Sequence, residues 1–130
     1  MTKFFSVTSP FVAHCFLEEV DRAESTVRSR VVLRPELTNS WGGAHGGLIV
    51  TLLDATMTIA GRYAVDPEGQ KGVATIDLAT SFIGQAKKAL ECTAKVVVVR
   101  GAAIFAEARV VNEDGELIAR GTATLRAMKP

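Results

Sequence analysis

The longest apolar segment of the chain covers residues 46–61 and predicts a helix. Its length and its content of Leu, Ala and Met favour a helix over a strand. Apolar side chains surround nearly the whole helix, so we expect it to be buried on nearly every side. Asp54 is the only charged residue between His45 and Arg62. Such a helix needs a sheet that wraps around it.

Strands are predicted where apolar and polar residues alternate with a period of two. Five segments have this pattern: residues 24–33, 72–82, 88–100, 102–112 and 117–127. Pro35 ends the first strand, and residues 38–43 form a turn-rich loop before the helix. The Asp114-Gly115 pair favours a hairpin between the last two strands. Four consecutive strands after the helix suit an antiparallel sheet.

The alternation also assigns side chains to faces of three strands. In residues 72–82, one face carries Ala74, Ile76 and Leu78, and the other carries Thr75, Asp77, Ala79 and Ser81. In residues 88–100, one face carries Leu90, Cys92, Ala94, Val96 and Val98. In residues 117–127, the inward face carries Leu117, Ala119, Gly121, Ala123 and Leu125.

We therefore expect an α+β domain in which one curled antiparallel sheet of about five strands covers the helix. A short helix should precede the first strand, because Ser9 is a preferred N-cap and Pro10 suits the first helical position. The chain of 130 residues has the length of one domain, which we expect to span residues 1–130.

Composition excludes several classes of protein. The chain is 48% hydrophobic and 22% charged, which is typical of a globular protein. Its net charge of +1 argues against nucleic-acid and membrane partners. We find no secretory signal and no uncharged apolar run long enough for a transmembrane helix, and therefore expect a cytoplasmic protein. Cys15 and Cys92 lack metal-binding spacing and are expected as buried free thiols, without a metal site.

The start of the helix has the features of a site that stabilises negative charge. Gly46 and Gly47 open the helix, whose first backbone N–H groups have no partner within it. Glycine lets a ligand approach that backbone closely, which suits an anion or a developing oxyanion. Asn39 and His45 add polar side chains just before the helix.

Asp54 is the second candidate for chemistry, because a carboxylate in an apolar helix is unfavourable unless it is paired or faces a cavity. Thr51 and Thr58, three residues before it and four after it, form a narrow polar stripe with it. The nine residues from His45 to Asp54 place the two on opposite helix faces, roughly 13 Å apart along the axis. If both act on one substrate atom, two subunits of a two-fold dimer must share the site.

Each candidate also has a purely structural interpretation. The glycine pair could provide a close packing contact, and His45 could make a structural hydrogen bond. Asp54 could be a buried carboxylate that accepts from Thr51 or from loop amides. A phosphate-binding loop is rejected, because the segment lacks the Lys followed by Ser or Thr with which such loops end.

The arrangement Asn39-x5-His45-Gly46-Gly47-x6-Asp54 resembles the signature of hotdog-fold acyl-CoA thioesterases of the phenylacetate-degradation (PaaI-like) type. The resemblance covers most of the chain. It implies a sheet wrapped around a central helix. It also implies edge-to-edge dimers with one continuous sheet, which commonly pair into tetramers.

The resemblance implies a role for each catalytic candidate. Asp54 would be the general base or the nucleophile that attacks the thioester carbonyl, and the backbone N–H of Gly46 would polarise the carbonyl oxygen. Asn39 would orient the thioester or the attacking water. His45 would position the thioester end and support the loop. Thr75 falls where similar enzymes have a Ser or Thr that helps to hold the water.

The implied substrate is an acyl-CoA, hydrolysed to CoA and a carboxylic acid without a metal or redox cofactor. Gly47 would contact the substrate, and Trp41 would line the acyl pocket or pack at the dimer interface. The CoA phosphates need cations. The candidates lie at strand ends and at the helix end: Lys87, Lys88, Arg100 and Arg62.

Two other functions remain open on the same fold. One is a non-catalytic protein that binds acyl-CoA or a small acid, and the other is a hydratase or dehydratase acting on enoyl-CoA. An Asp at the PaaI-like helix position favours hydrolysis. Aryl, short-chain and medium-chain acyl groups all remain open, as does an acyl carrier protein in place of CoA.

Overall fold

The computed structural model describes residues 3–23 and 26–129. Its elements follow the expected order of a short helix, a strand, a long helix and four strands, with one additional strand near the N-terminus. The elements are α1 (Pro10–His14), β1 (Glu18–Arg22), β2 (Thr26–Val32), a 3₁₀ turn (Pro35–Leu37), α2 (Gly46–Val65), β3 (Val73–Phe82), β4 (Ala89–Arg100), β5 (Ala103–Asn112) and β6 (Leu117–Ala127).

The strands form one six-stranded antiparallel sheet in the order β1-β2-β4-β5-β6-β3. Helix α2 packs on this curved sheet and contacts every strand from β2 to β6. An α+β fold with one long helix covered by a sheet is therefore confirmed. It is the hotdog arrangement.

The extra strand, β1, escaped the sequence analysis because all five of its residues are exposed. With no buried side, it shows no alternation, and only its pairing with β2 makes it a strand. The start expected for the next strand, Glu24 and Ser25, lies outside the described residues. The described part of that strand, β2, ends at Val32, before Pro35 as expected.

Helix α2 is one turn longer than expected, since it continues past Gly61 to Val65. Gly61 suggested an end, but it lies where the helix is closest to the sheet. A Cβ at this position would stand 2.8 Å from Cδ1 of Leu125. The glycine is therefore explained by close helix–sheet packing and does not end the helix.

Near the N-terminus, α1 begins as expected, because the Ser9 hydroxyl accepts a hydrogen bond from the Val12 N–H at 3.3 Å.

A β-bulge in β3 changes which residues face the helix. The register shifts between Thr75 and Asp77, so that Ile76 is an extra residue. Thr75 pairs with the buried Leu125 and therefore lies on the helix side, as does Leu78 beyond the bulge. The expected grouping of Leu78 with Ala74 and Ile76, opposite Thr75, is thus wrong.

A second bulge changes which residues of β4 face the helix. The register shifts between Val96 and Val98. Val98 then pairs with Phe105 on the outer surface, whereas Leu90, Cys92 and Ala94 remain inside as expected. The inward face of β6 is confirmed at Ala119, Gly121, Ala123 and Leu125. The inward placement of Leu117 is wrong: a register shift pairs it with Val111, it lies on the outer face of the sheet, and Ile118 is buried instead.

The core between helix and sheet is almost entirely apolar. Ser29 and Thr56 are its buried polar residues, and their hydroxyls share a 2.5 Å hydrogen bond. Cys15 and Cys92 are both buried free thiols, and burial raises the pKa of Cys92 to about 12. This thiol is therefore unreactive at neutral pH.

Helix α2 meets the length and hydropathy criteria of a membrane span, and no other helix among the described residues does. The core helix of a globular domain meets the same criteria, and half of this helix's most apolar window is buried inside the protein. The absence of a membrane-spanning helix stays a prediction.

Candidate active site

The carboxylate of Asp54 is held by a hydroxyl from the sheet. Thr75 Oγ1 donates to Asp54 Oδ1 at 2.6 Å, which joins the middle of α2 to the first half of β3. Thr75 shares the helix side of β3 with Val73, and the bulge after Thr75 lets Leu78 lie on that side as well. The other carboxylate oxygen has no hydrogen-bond partner among the described residues and is available to a ligand.

The structural interpretation in which Thr51 bonds to the carboxylate is wrong. The Thr51 hydroxyl donates to the carbonyl of Gly47 at 2.8 Å, one turn earlier in the helix. The Thr58 hydroxyl likewise donates to the backbone carbonyl of Asp54, not to its side chain. Asp54 therefore presents its carboxylate to a cavity, with Thr75 as its side-chain partner.

The cavity beside Asp54 has a volume of about 530 Å³. One wall is the outer face of α2, and the opposite wall is the N-terminal segment from Phe4 to Val12. Most of the lining is apolar, and Asp54 and Arg62 are its two charged residues among those that the structure describes. Neither this cavity nor its N-terminal wall was predicted, because nothing in the pattern of residues 4–12 indicates where that segment packs.

His45 caps the start of α2. Its Nδ1 accepts a hydrogen bond from the Gly47 N–H at 2.8 Å, so the ring satisfies one of the free donors of the first turn. The ring also explains the glycine at position 47, because a Cβ there would stand only 3.1 Å from Nδ1. His45 therefore makes a structural hydrogen bond, and Gly47 provides a close packing contact. Contact of either residue with substrate stays a prediction.

A pair of variants separates capping by His45 from direct catalysis. We expect His45→Ala to lower the free energy of unfolding by about 1 kcal/mol through loss of the cap. We expect His45→Asn, which supplies a preferred cap, to restore both stability and activity. Urea unfolding and a thiol-release assay on the same preparations measure this. Equal loss of activity in both variants, with normal stability in His45→Asn, would indicate that the imidazole itself acts on substrate.

The N–H of Gly46 is free. Gly47 donates to His45, and Leu48 and Ile49 donate to the His45 carbonyl, but the Gly46 N–H has no acceptor among the described residues. It lies at the positive end of the helix dipole, where an oxyanion is stabilised. The Phe82 ring, at the end of β3, stands 3.6 Å from the position of a Gly46 Cβ.

Asn39 organises the loop that leads to the helix. Its Oδ1 accepts from the backbone N–H groups of Trp41 and Gly43, at 2.9 and 3.1 Å. Its amide nitrogen donates to the Ala44 carbonyl in a long bond of 3.4 Å. In the single chain the side chain therefore holds the loop together, and its expected action on the thioester or the water stays a prediction.

Within one chain, the two halves of the expected site open into different cavities. Asp54 and Thr75 line the first, whereas His45 and Gly47 line a second of similar volume, about 530 Å³. Thr51 lines both and lies between them. One chain thus does not bring the carboxylate and the helix start together.

The proposed phosphate-binding cations do not form one cluster. Lys87 and Lys88 precede β4 beside the Asn39 loop, whose Ala44 N–H donates to the Ala86 carbonyl at 2.9 Å. Arg100 is at the opposite end of the same twelve-residue strand, roughly 40 Å away. These three residues cannot contact the same phosphate in one chain. Trp41 is 78% exposed on the loop, and its contribution to an acyl pocket stays a prediction.

A conservative substitution tests the Thr75 contact. We expect Thr75→Val to lower kcat for thioester hydrolysis by roughly tenfold, because a hydrogen bond to a charged group contributes about 1.5–3 kcal/mol. Thr75→Ser keeps the hydroxyl and should retain most of the activity. Steady-state kinetics of the three proteins measure the effect. A Val variant as active as the parent would show that the contact does not orient the carboxylate.

A hotdog sheet with a cavity-facing carboxylate on its central helix and a free N–H at the helix start agrees with the class of protein expected from the sequence. The family model described as the thioesterase superfamily matches residues 42–119, which is more than half of the chain. The chain belongs to this superfamily. The class expected from the sequence is thus confirmed at the level of the family.

Similar proteins agree with this assignment. A Halobacterium salinarum protein named for a proposed esterase activity is 35% identical over 95 residues, which are 71% of this chain. The match spans 63% of that relative's length. A conserved Pseudomonas aeruginosa protein has a TM-score of 0.85 at 22% identity, covering 95% of this chain and 97% of its own. A Haemophilus influenzae thioesterase also has a TM-score of 0.85, at 17% identity, covering 92% and 82%. The two structural likenesses show the fold.

Proposed function

We propose that the protein is an acyl-CoA thioesterase that hydrolyses a small or medium acyl-CoA to CoA and the free acid. The observation that carries this proposal is the Asp54 carboxylate, held by Thr75 and facing an apolar cavity of about 530 Å³. An apolar cavity suits an acyl chain, and a positioned carboxylate suits activation of water. Membership in the thioesterase superfamily supports the reaction class.

The proposed site is shared between two subunits that pair through β3. The sheet has two edge strands, and they differ in character. Four of the five residues of β1 are charged, which disfavours edge-to-edge pairing, whereas Asp77 is the only charged residue of β3. Ile76 and Phe82 on β3 are both more than half exposed. These features favour β3 as the edge that meets a second copy.

Antiparallel pairing of two β3 strands would bring the separated halves together. Within one chain, Thr75 near the start of β3 contacts Asp54, and Phe82 at the end of β3 lies beside Gly46. A two-fold axis near the middle of β3, at Leu78, would set Thr75 of one subunit near Phe82 of its partner. Asp54 of one chain would then approach the helix start of the other. The proposed active unit is therefore a dimer, and the pairing of dimers into a tetramer follows from the family resemblance.

In the proposed reaction, Asp54 removes a proton from water while the water oxygen bonds to the thioester carbonyl carbon. The carbonyl electron pair moves onto oxygen, and the Gly46 N–H of the second subunit stabilises the oxyanion. When the carbonyl re-forms, the carbon–sulfur bond breaks and the sulfur receives the proton from Asp54. The products are the carboxylic acid and the CoA thiol. Direct attack by Asp54 on the carbonyl, followed by hydrolysis of the anhydride, would use the same residues.

A thiol-release assay over a panel of acyl-CoAs tests the proposal against the alternatives. Aryl, short-chain and medium-chain esters are incubated with the protein and a chromogenic thiol reagent, and we expect catalytic release from at least one class. Tight binding of acyl-CoA without release would instead support a binding protein. Hydration of enoyl-CoA with little free thiol would support a hydratase. We further propose that the enzyme acts without an added metal or redox cofactor and is located in the cytoplasm.

A further inference from the structure

The far end of the cavity beside Asp54 carries a cation that the reaction does not use. Arg62 follows Asp54 by eight residues on α2, which places its backbone roughly 12 Å further along the helix axis. The two residues line one cavity, and within the described ranges 3–23 and 26–129 no other charged residue lines it. A catalytic carboxylate would thus stand at one end of the cavity and a guanidinium at the other.

Only one nitrogen of the Arg62 guanidinium makes hydrogen bonds among the described residues. Its Nη1 donates to the backbone carbonyls of Gln70 and Lys71, at 3.5 and 3.2 Å, which ties the helix end to the following loop. No carboxylate lies within ion-pair distance of it among the described residues, and the nearby Asp66 carboxylate accepts from backbone N–H groups instead. Nε and Nη2 remain available to an anion, and Arg is suited to hold a carboxylate through two donors.

The wall between the two charged residues suits hydrocarbon. Ala55 and Ile59 of α2, together with Phe4 and Val7 of the N-terminal segment, line this part of the cavity. The Thr58 hydroxyl donates to the helix backbone. The hydroxyls of Ser9, Thr51 and Thr75 also line the cavity and make hydrogen bonds within the protein, which leaves the Thr8 hydroxyl. Few polar partners therefore remain among the described residues for the amides of a pantetheine arm, whereas an alkyl chain needs none. This argues that the acyl group, and not CoA, occupies the cavity between Asp54 and Arg62.

We propose that Arg62 selects acyl-CoA esters whose acyl chain ends in a carboxylate, with the thioester at Asp54 and the distal carboxylate on the guanidinium. Dicarboxylic acid monothioesters are the substrate class that combines an apolar middle with an anionic end. This inference rests on the proposed function and specifies its substrate. It differs from the sequence-based expectation that Arg62 contacts a CoA phosphate.

Matched pairs of substrates test the inference with the full chain. Glutaryl-, adipoyl- and suberoyl-CoA are each compared with the methyl-ended acyl-CoA of equal carbon number, and kcat/KM is measured by thiol release. We expect at least one of the dicarboxylic esters to be preferred by the parent protein. In Arg62→Gln the ratio of the two kcat/KM values should fall roughly tenfold or more, and Arg62→Lys should retain part of the preference. Arg120→Gln, on the outer face of the sheet, is the control and should keep the ratio.

The possible results separate the inference from the proposed function. An equal loss of kcat/KM for both members of a pair in Arg62→Gln would contradict the inference, and would indicate contact with the CoA moiety or a structural role in the loop. Hydrolysis with no preference for dicarboxylic esters in the parent protein would also contradict it. Absence of thiol release from every ester would contradict the proposed function, and the inference would fall with it.

Discussion

Replacement of Asp54 by Asn should lower kcat for thioester hydrolysis by roughly 10²–10⁴-fold, because an amide cannot take a proton from water. The fold should persist. The carboxylate is only partly buried, and an Asn oxygen can still accept the hydrogen bond that Thr75 donates to Asp54 at 2.6 Å. Steady-state thiol release with the preferred acyl-CoA measures the rate, and thermal unfolding measures the stability.

Asp114→Asn is the matched control for this substitution. Asp114 is an exposed carboxylate in the turn between β5 and β6, remote from the cavity, and its replacement should leave the rate unchanged. If Asp54→Asn turned over substrate at the parent rate with normal stability, the carboxylate would have no catalytic role. The assignment of Asp54 as base or nucleophile would then be wrong.

The second large effect is expected from removing one backbone N–H. Gly46→Pro deletes the donor proposed for the oxyanion and should lower kcat by roughly 10²–10³-fold. Proline is well tolerated at the first helical position. His45, the preceding residue, already has the extended conformation that proline requires, with φ −65° and ψ 137°. The helix should therefore form normally, and thermal unfolding is measured beside the thiol-release kinetics.

Gly46→Ala separates the loss of the N–H from the added bulk. Its Cβ would stand 3.6 Å from the Phe82 ring, which is ordinary van der Waals contact, and the N–H is retained. We expect this variant to keep most of the activity. A Pro variant that is folded and as active as the Ala variant would contradict the role of the Gly46 N–H.

The elements predicted most accurately from sequence are those with strong periodicity. Helix α2 and strands β3 to β6 carry long apolar or alternating patterns, and the short helix α1 has a clear cap in Ser9. Strand β1 was missed because its exposed residues carry no pattern and its strand character depends on pairing with β2. The alternation of apolar and polar residues reflects burial of one face, so a strand that is exposed on both faces does not show it.

The contacts of the candidate site residues could not be predicted from the sequence, and the roles of these residues stay predictions. The spacing of Gly46 and Asp54 in an apolar helix pointed to the two parts of the proposed chemistry. The period-two pattern of β3, however, set Thr75 on the wrong face relative to Leu78, because a bulge adds one residue without a signature in the sequence. The cavity position of Arg62 was also missed, since it depends on the N-terminal segment folding across α2.

The central claim is that two subunits share a thioester-hydrolysing site, with Asp54 from one and Gly46 from the other. Mixing Asp54→Asn chains with Gly46→Pro chains under subunit exchange tests it most directly. Each mixed dimer would contain one site with both residues intact, so random exchange at equal amounts should restore thiol release to about a quarter of the parent activity. If the mixture stays as inactive as the separate variants although mixed dimers form, both residues act within one chain or not at all, and the claim is contradicted.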